Sequence, residues 1–272
     1  MIRVGVVGIE ELPNKSENLF KSVLLLPSSP QNMAISLDTC DALIINNVNH
    51  NYIDLITQAI KLSKHIFLFD FIHCETKTLA TLIKLASEAN VHIHILHAIN
   101  NDYVCKKLHE LVPQKTIIQY VHLSALTTPP PMLLRNIDLL IKMAASQIKN
   151  VHTSSICDTN GQIHTIDTRI EFFNGTSANC FWSNVTGKEK CFLNTYHTEG
   201  FISYNVIKSK VSSFSLTHNP YEKKTQEIKN KTISEHFDLF SEHVSSGHFS
   251  QNALDYNLSA IQLKKQILTF VP

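Results

Sequence analysis

Short apolar runs alternate with amphipathic stretches through the N-terminal part of the chain, and this alternation restricts the fold more than any other feature. Residues 2–8, 23–26, 42–45, 66–69 and 91–96 suit buried strands. Between them, Tyr52, Leu55, Ile56, Ala59 and Ile60 follow helical spacing, as do Leu79, Leu82, Ile83, Ala86 and Ala89. A short helix is expected over 102–112, ending before Pro113. Strands alternating with helices of this length predict right-handed βαβ units and a doubly wound parallel sheet.

The pattern changes after about residue 115. A strand over 116–123 is followed by Pro129-Pro130-Pro131 and a helix at 132–146. From 151 to 217 the sequence is β-rich. Thr168, Ile170 and Phe172 alternate with Asp167, Arg169 and Glu171, so one face is expected to be buried and the other wet. Asn174-Gly175 signals a two-residue hairpin leading into a return strand over 176–183. Strands are expected at 190–197, 201–207 and 211–217. Two helices follow, marked by Ile233, Phe237, Phe240 and Val244, then by Leu254, Leu258, Ile261 and Leu268. The expected division is a parallel α/β domain over 1–115 and an α+β domain with an open, mainly antiparallel sheet over 116–272.

A net charge of +1 gives no electrostatic pointer to nucleic acid or an acidic membrane. No apolar run approaches the roughly 18 residues of a membrane span. The opening Met-Ile-Arg-Val-Gly-Val-Val-Gly lacks the pattern of a secretory leader, so a cytoplasmic chain is expected. Six scattered cysteines, with no C-x-x-C pair, suit buried thiols.

Several local strings, in order, resemble the Gfo/Idh/MocA family, the relatives of glucose–fructose oxidoreductase and inositol dehydrogenase. Val4-Gly5-Val6-Val7-Gly8 resembles the family's opening strand. Cys40-Asp41-Ala42-Leu43-Ile44-Ile45 is similar to its "D-a-v-i-i-a", and Ser63-Lys64-His65-Ile66-Phe67-Leu68 to its "G-K-H-V-l-v". Leu82 to Ala89 followed by Val91 resembles its "L-i-x-x-A-x-x-x-g-v", and Ile137-Asp138-Leu139 the end of its "G-x-H-x-i-D-l". Phe172-Phe173-Asn174-Gly175 resembles its hairpin. Phe237-Asp238-Leu239-Phe240 with Gly247 resembles its late "F-x-x-x-i-x-x-G". The resemblance implies a Rossmann-like domain, an open-sheet domain, and NAD(P)-dependent oxidation of sugars, cyclitols and related alcohols.

The residues that would carry that chemistry depart from the family pattern. The chain has only seven glycines in 272 residues, against a usual share of roughly 7%. No G-x-G-x-x-G can be written. Gly8 takes the first fingerprint position, followed by Ile9, but Glu10 and Pro13 fall where the next two glycines would sit. A carboxylate there repels a pyrophosphate, and a Cβ blocks its close approach. From Asn18 to Leu37 there is no Asp or Glu to hold a ribose, and no Arg for a 2′-phosphate. The short stretch from Gly8 to Asp41 implies that a helix, with or without a strand, is missing from the adenosine half. Asn46 and Asn47, just past the third strand, suit either a polar ligand or an irregular turn.

The family's E-K-P triplet aligns with Phe69-Asp70-Phe71, which puts Asp70 in the lysine position. Counting back from Asp138, the acid/base histidine position holds Arg135 and the leading aspartate position holds Pro131. Arginine stays charged and is a poor base. Asp70 and Arg135 either face one another across the cleft or, the reading preferred here, serve a turn cap and a solvated surface. The positions matching the catalytic site are thus Asp70, Arg135 and Asp138. Those matching the cofactor site are Gly8, Ile9, Glu10, Asn46, Asn47 and Phe69.

His92, His94 and His97 form H-I-H-I-L-H. On a strand, His92 and His94 point the same way and can share a metal with a third ligand. The preferred reading is polar lining of a sheet face or an oligomer interface, with no metal. His50, His65 and His73 with Cys74 are expected near strand C-termini, facing the cleft.

The expectation is a family-fold protein without NAD(P) binding or catalysis, acting as a ligand-binding, assembly or partner subunit. It would take a small polar or sugar-like ligand and dimerise through the C-terminal sheet. The alternative is an active NAD(P)-dependent oxidoreductase with a divergent site.

Overall fold

The computed structural model describes residues 2–8, 20, 22–25, 38–46, 52–70, 72, 74–111, 117–123, 132–184, 189–215, 223–229, 231–247 and 252–269. They fall into two compact units, Met1–Asn100 with Lys231–Ile261, and Asn101–Asn230 with Gln262–Pro272. This grouping is discontinuous where the sequence suggests a contiguous split at 115/116. The two sheets do part near that point, but residues 231–261 return to the first unit, whose sheet needs them as a cover.

The first unit is built on five parallel strands: β1 (Arg3–Val7), β2 (Ser22–Leu25), β3 (Ala42–Ile45), β4 (His65–Leu68) and β5 (Ile93–Ile95). Their order is β2-β1-β3-β4-β5, with every neighbouring pair parallel. Among the described residues a single strand lies beyond β1, one fewer than in the usual dinucleotide-binding order.

Helices α1 (Ile53–Lys61) and α2 (Thr76–Glu88) contact each other, and α1 lies against β4. They bury Leu55, Ile56, Ala59 and Ile60, and Leu79, Leu82 and Ala86. Register places Val6, Ile44, Phe67 and His94 in one row across the sheet. Helix α5 (Ile233–Ser246) covers this row with Phe237 and Phe240, which join a core with Val4, Val6, Phe20, Ala42, Ile44 and Phe67. Thr232 caps α5: its hydroxyl accepts from the Glu235 N–H while the Glu235 carboxylate accepts from the Thr232 N–H. Gly247 ends the helix in the left-handed conformation, at φ +67°.

Helix α3 (Leu96–His109) starts directly after β5, six residues earlier than the periodicity predicts, and crosses from one unit to the other. Helix α6 (Asn252–Thr269) also crosses. Polar residues at Asn100, Asn101 and Asp102 mask the start of α3. All three make side-chain contacts inside the protein rather than a turn.

The second unit carries an eight-stranded sheet in the order β13-β12-β11-β10-β6-β9-β8-β7. Its strands are β6 (Ile117–Leu123), β7 (Ile148–Cys157), β8 (Ile163–Phe172), β9 (Ser177–Ser183), β10 (Lys190–His197), β11 (Gly200–Asn205), β12 (Lys210–Ser215) and β13 (Lys223–Glu227). Only β6–β9 is parallel. Helix α4 (Met132–Ala144) lies against β6 and β9. The edge strand β13 was not foreseen, because Lys-Lys-Thr-Gln-Glu has no apolar alternation.

The Asn174-Gly175 hairpin closes as a three-residue loop. The Phe172 N–H donates to the Thr176 carbonyl, and Gly175 takes φ +85°. On the buried face sit Thr168, Ile170, Phe172, Cys180 and Trp182. The open face is less polar than Asp167, Arg169 and Glu171 suggest. One row across it reads Glu171, Ser177, Ile117, Tyr196, Phe201 and Phe214. Phe201 and Phe214 stack at 4.4 Å, with Tyr196 stacked on Phe201 at 5.7 Å.

All six cysteines are free, four of them buried. Among the described residues no helix is long and apolar enough to cross a membrane.

Phe237 is fully buried, with ring centroids 4.7 Å from Phe67 and 5.8 Å from Phe20. Phe237→Ala is expected to cost about 3–5 kcal/mol in urea unfolding. A loss below about 1 kcal/mol would show that α5 does not hold the sheet.

Candidate functional site

In a parallel sheet whose strand order reverses, ligands bind beyond the strand C-termini at the reversal. Here that point lies between β1 and β3. Gly8 follows β1 with φ +76°, and a Cβ there would meet the Asn46 carbonyl oxygen at 2.9 Å. Asn46 ends β3. Its N–H donates to the Val7 carbonyl at 3.0 Å, and its side-chain amide donates to the Gly8 carbonyl at 3.5 Å. The structure thus brings Gly8 and Asn46 together and requires glycine at position 8. Ile9, Glu10, Pro13, Asn47, Phe71, His50, His73 and Pro131 lie outside the described residues.

Phe69 follows β4. Its ring is half-buried and packs edge-on against Phe67 at 5.5 Å and Phe237 at 6.2 Å. Asp70 is half-buried beside it in the first unit, whereas Arg135 is half-buried on α4 in the second. His65 does not sit at a strand C-terminus. It opens β4, at the other end of the sheet, and its Nδ1 accepts the His92 N–H at 3.0 Å.

In the second unit, Asp138 is fully buried on α4 and takes its partners from inside the protein. Lys142, one turn along, reaches it at 3.1 Å and also reaches Asp102 of α3 at 2.9 Å. The Asn101 amide donates to Asp138 Oδ2 at 2.7 Å and to the Arg135 carbonyl at 3.0 Å. Burial pushes the Asp138 carboxyl up to about 6, against the pull of the Lys142 ammonium. The family-matching acid is thus part of a buried ion pair that ties α3 to α4. Lys142 is visible in the sequence at i+4 from Asp138. Asn101 and Asp102 come from a distant segment and carry no sequence signal.

The first unit also gathers four histidines beneath α5. His92 and His94 follow the same-face spacing expected of them. The face they share is covered, however, and not an outer lining: both rings are buried. His243, in the last turn of α5, brings Nδ1 to 3.4 Å from His92 Nε2. His236, one row along α5, brings Nδ1 to 3.3 Å from His94 Nε2, and its own Nε2 lies 2.7 Å from Asn100 Oδ1. Phe67 stacks flat on His94 at 4.7 Å. Burial, reinforced by the neighbouring imidazoles, lowers His92 to about 3 and His94 well below the usual range. Burial, with Lys231 nearby, lowers His236 to about 4. His92, His94 and His236 are therefore neutral at pH 7. His243 could not be linked to His92 from the sequence, because 150 intervening residues separate them.

The Asp138 shift sets a pH dependence. Its folded pKa of about 6 lies above the ordinary 3.8, so the folded chain keeps the proton where the unfolded chain releases it. Stability from this group is therefore lost as pH rises through roughly 4 to 6. Asp138→Asn should gain on the wild type across that window in urea titrations. Parallel curves would remove the shift.

No protein-family profile and no curated protein sequence matches the chain. Solved structures do. UDP-N-acetylglucosamine 3-dehydrogenase GnnA from Acidithiobacillus ferrooxidans superposes with a TM-score of 0.79 at 13% identity, covering 99% of this chain and 97% of that one. Levoglucosan dehydrogenase, in complex with NADH, gives 0.76 at 11% identity, covering 99% and 96%. Biliverdin reductase from Synechocystis sp. PCC 6803, in complex with biliverdin and NADP+, gives 0.71 at 14% identity, covering 97% and 98%. The chain has the fold of the Gfo/Idh/MocA-type dehydrogenases, a Rossmann-like parallel domain joined to one built on a large, mainly antiparallel sheet.

Proposed function

We propose that this chain keeps the dehydrogenase scaffold without dinucleotide binding or hydride transfer, and serves as a ligand-binding, assembly or partner subunit. The observation that carries this reading is the state of α4. The helix has no histidine, and its one acid, Asp138, is fully buried against Lys142 and Asn101. No described group of α4 is left to exchange a proton with a substrate alcohol. The sequence adds Asp70 at the position of the lysine, and Glu10 and Pro13 at the positions of two fingerprint glycines.

Gly8, with its positive φ and its close approach to Asn46, favours the other reading, an active enzyme on a sugar- or cyclitol-like substrate with a divergent site. Calorimetric titration with NADH and NADPH separates the two. No binding is expected at millimolar cofactor. Micromolar binding of either cofactor contradicts the proposal.

The ligand class that suits the reading is a small polar or sugar-like molecule, in keeping with the substrates named for two of the structural neighbours. The chain pairs as a homodimer through the open face of the second sheet. The row of exposed Ile117 and Tyr196 with half-buried Phe201 and Phe214 supports this, since contiguous apolar surface favours association. Light scattering is expected to give twice the 30.7 kDa chain mass. Phe201→Glu with Phe214→Glu is expected to give a monomer. A monomeric wild type at micromolar concentration contradicts the pairing.

A further inference from the structure

The histidines beneath α5 have the geometry of a ligand set. One donor atom from each of His92, His94 and His243 lies within 4.8 Å of the other two. His92 Nε2 and His243 Nδ1 are 3.4 Å apart. Two imidazoles bound to one tetrahedral ion at metal–nitrogen distances of 2.0–2.1 Å stand about 3.3 Å apart. Closing the set around an ion requires the His94 donor to move inward, from at most 4.8 Å to about 3.3 Å from the other two.

The tautomers point the same way. Asn100 Oδ1 accepts, so His236 Nε2 carries its hydrogen and His236 Nδ1 has the lone pair. His94 Nε2 therefore donates to His236 Nδ1, and the lone pair of His94 is on Nδ1. That nitrogen is buried and has no hydrogen-bond partner among the described residues. A buried acceptor without a partner costs stability unless something supplies one. A metal-bound histidine ordinarily donates its second N–H to an outer acceptor that fixes its tautomer. His94 to His236 to Asn100 is such a relay. His65, accepting the His92 N–H, steadies the first ligand's backbone.

We propose that His92, His94 and His243 form a binding site for a divalent transition-metal ion of borderline softness, with zinc(II) as the type. Three imidazoles and no carboxylate select against magnesium and calcium, which prefer oxygen. Phe67 and Phe240 flank the rings and favour a compact, four-coordinate ion over an octahedral one. His243 is half-exposed at the helix end, so the fourth position opens toward solvent there. In this account the ion fastens α5 to β5.

The test uses the full chain, stripped with chelator and titrated with cobalt(II), followed by zinc(II) in competition with a chromophoric chelator. One equivalent of cobalt(II) is expected to give the intense visible bands of a tetrahedral ion, and one equivalent of zinc(II) to abolish them. His243→Ala, at a half-exposed helix end, leaves the core intact and should weaken zinc(II) by more than the roughly 10–100-fold that an outer partner is worth. His236→Ala should fall within that range. His152→Ala, exposed on the other unit, should change nothing. Circular dichroism of each metal-free variant establishes that it folds. Absence of binding tighter than millimolar, weak octahedral bands, or an affinity unchanged in His243→Ala would each overturn the proposal.

Discussion

A parallel sheet with apolar side chains on both faces stands only when both faces are covered, and the first unit is arranged around that requirement. Helices α1 and α2, from the alternating N-terminal part, bury their own apolar stripes, with α1 against β4 and the two helices against each other. The row of Val6, Ile44, Phe67 and His94 needs a second cover, and α5 provides it from more than 130 residues further along the chain. The discontinuous unit follows directly. So does the burial of the histidines, which lie in that row and the adjacent one. Their neutrality, in turn, follows from burial.

Where local pattern and tertiary need agree, the sequence is a good guide. The strand cores of β1, β3, β4 and β6 and the helical stripes of α1 and α2 lie where periodicity puts them, because each buries what its own pattern makes apolar. The start of α3 was hidden because Asn100, Asn101 and Asp102 resemble a turn, while their polar atoms are consumed by His236, Asp138 and Lys142. The return of α5 to the first sheet has no local signature, since an amphipathic stripe does not say which sheet it will cover. For the same reason His243 could not be read as a neighbour of His92.

The site separates along the same line. Gly8 is legible because its requirement is local: a positive φ and a backbone approach that no side chain tolerates. Asp138 matches the family by position, yet its role is set by what surrounds it. A carboxylate enclosed by α3 and α4 and held by Lys142 is an element of packing. The scaffold has therefore kept the features that serve folding, the strand core, the capped α5 and the switch-point glycine.

The claim that the cofactor site has been dismantled on an intact scaffold is tested most directly by a crystal structure grown in millimolar NADH. The account predicts the fold described above with no dinucleotide beyond the ends of β1 and β3. A pyrophosphate resting on the backbone after Gly8, with a nicotinamide ring beside Asn46, would contradict it.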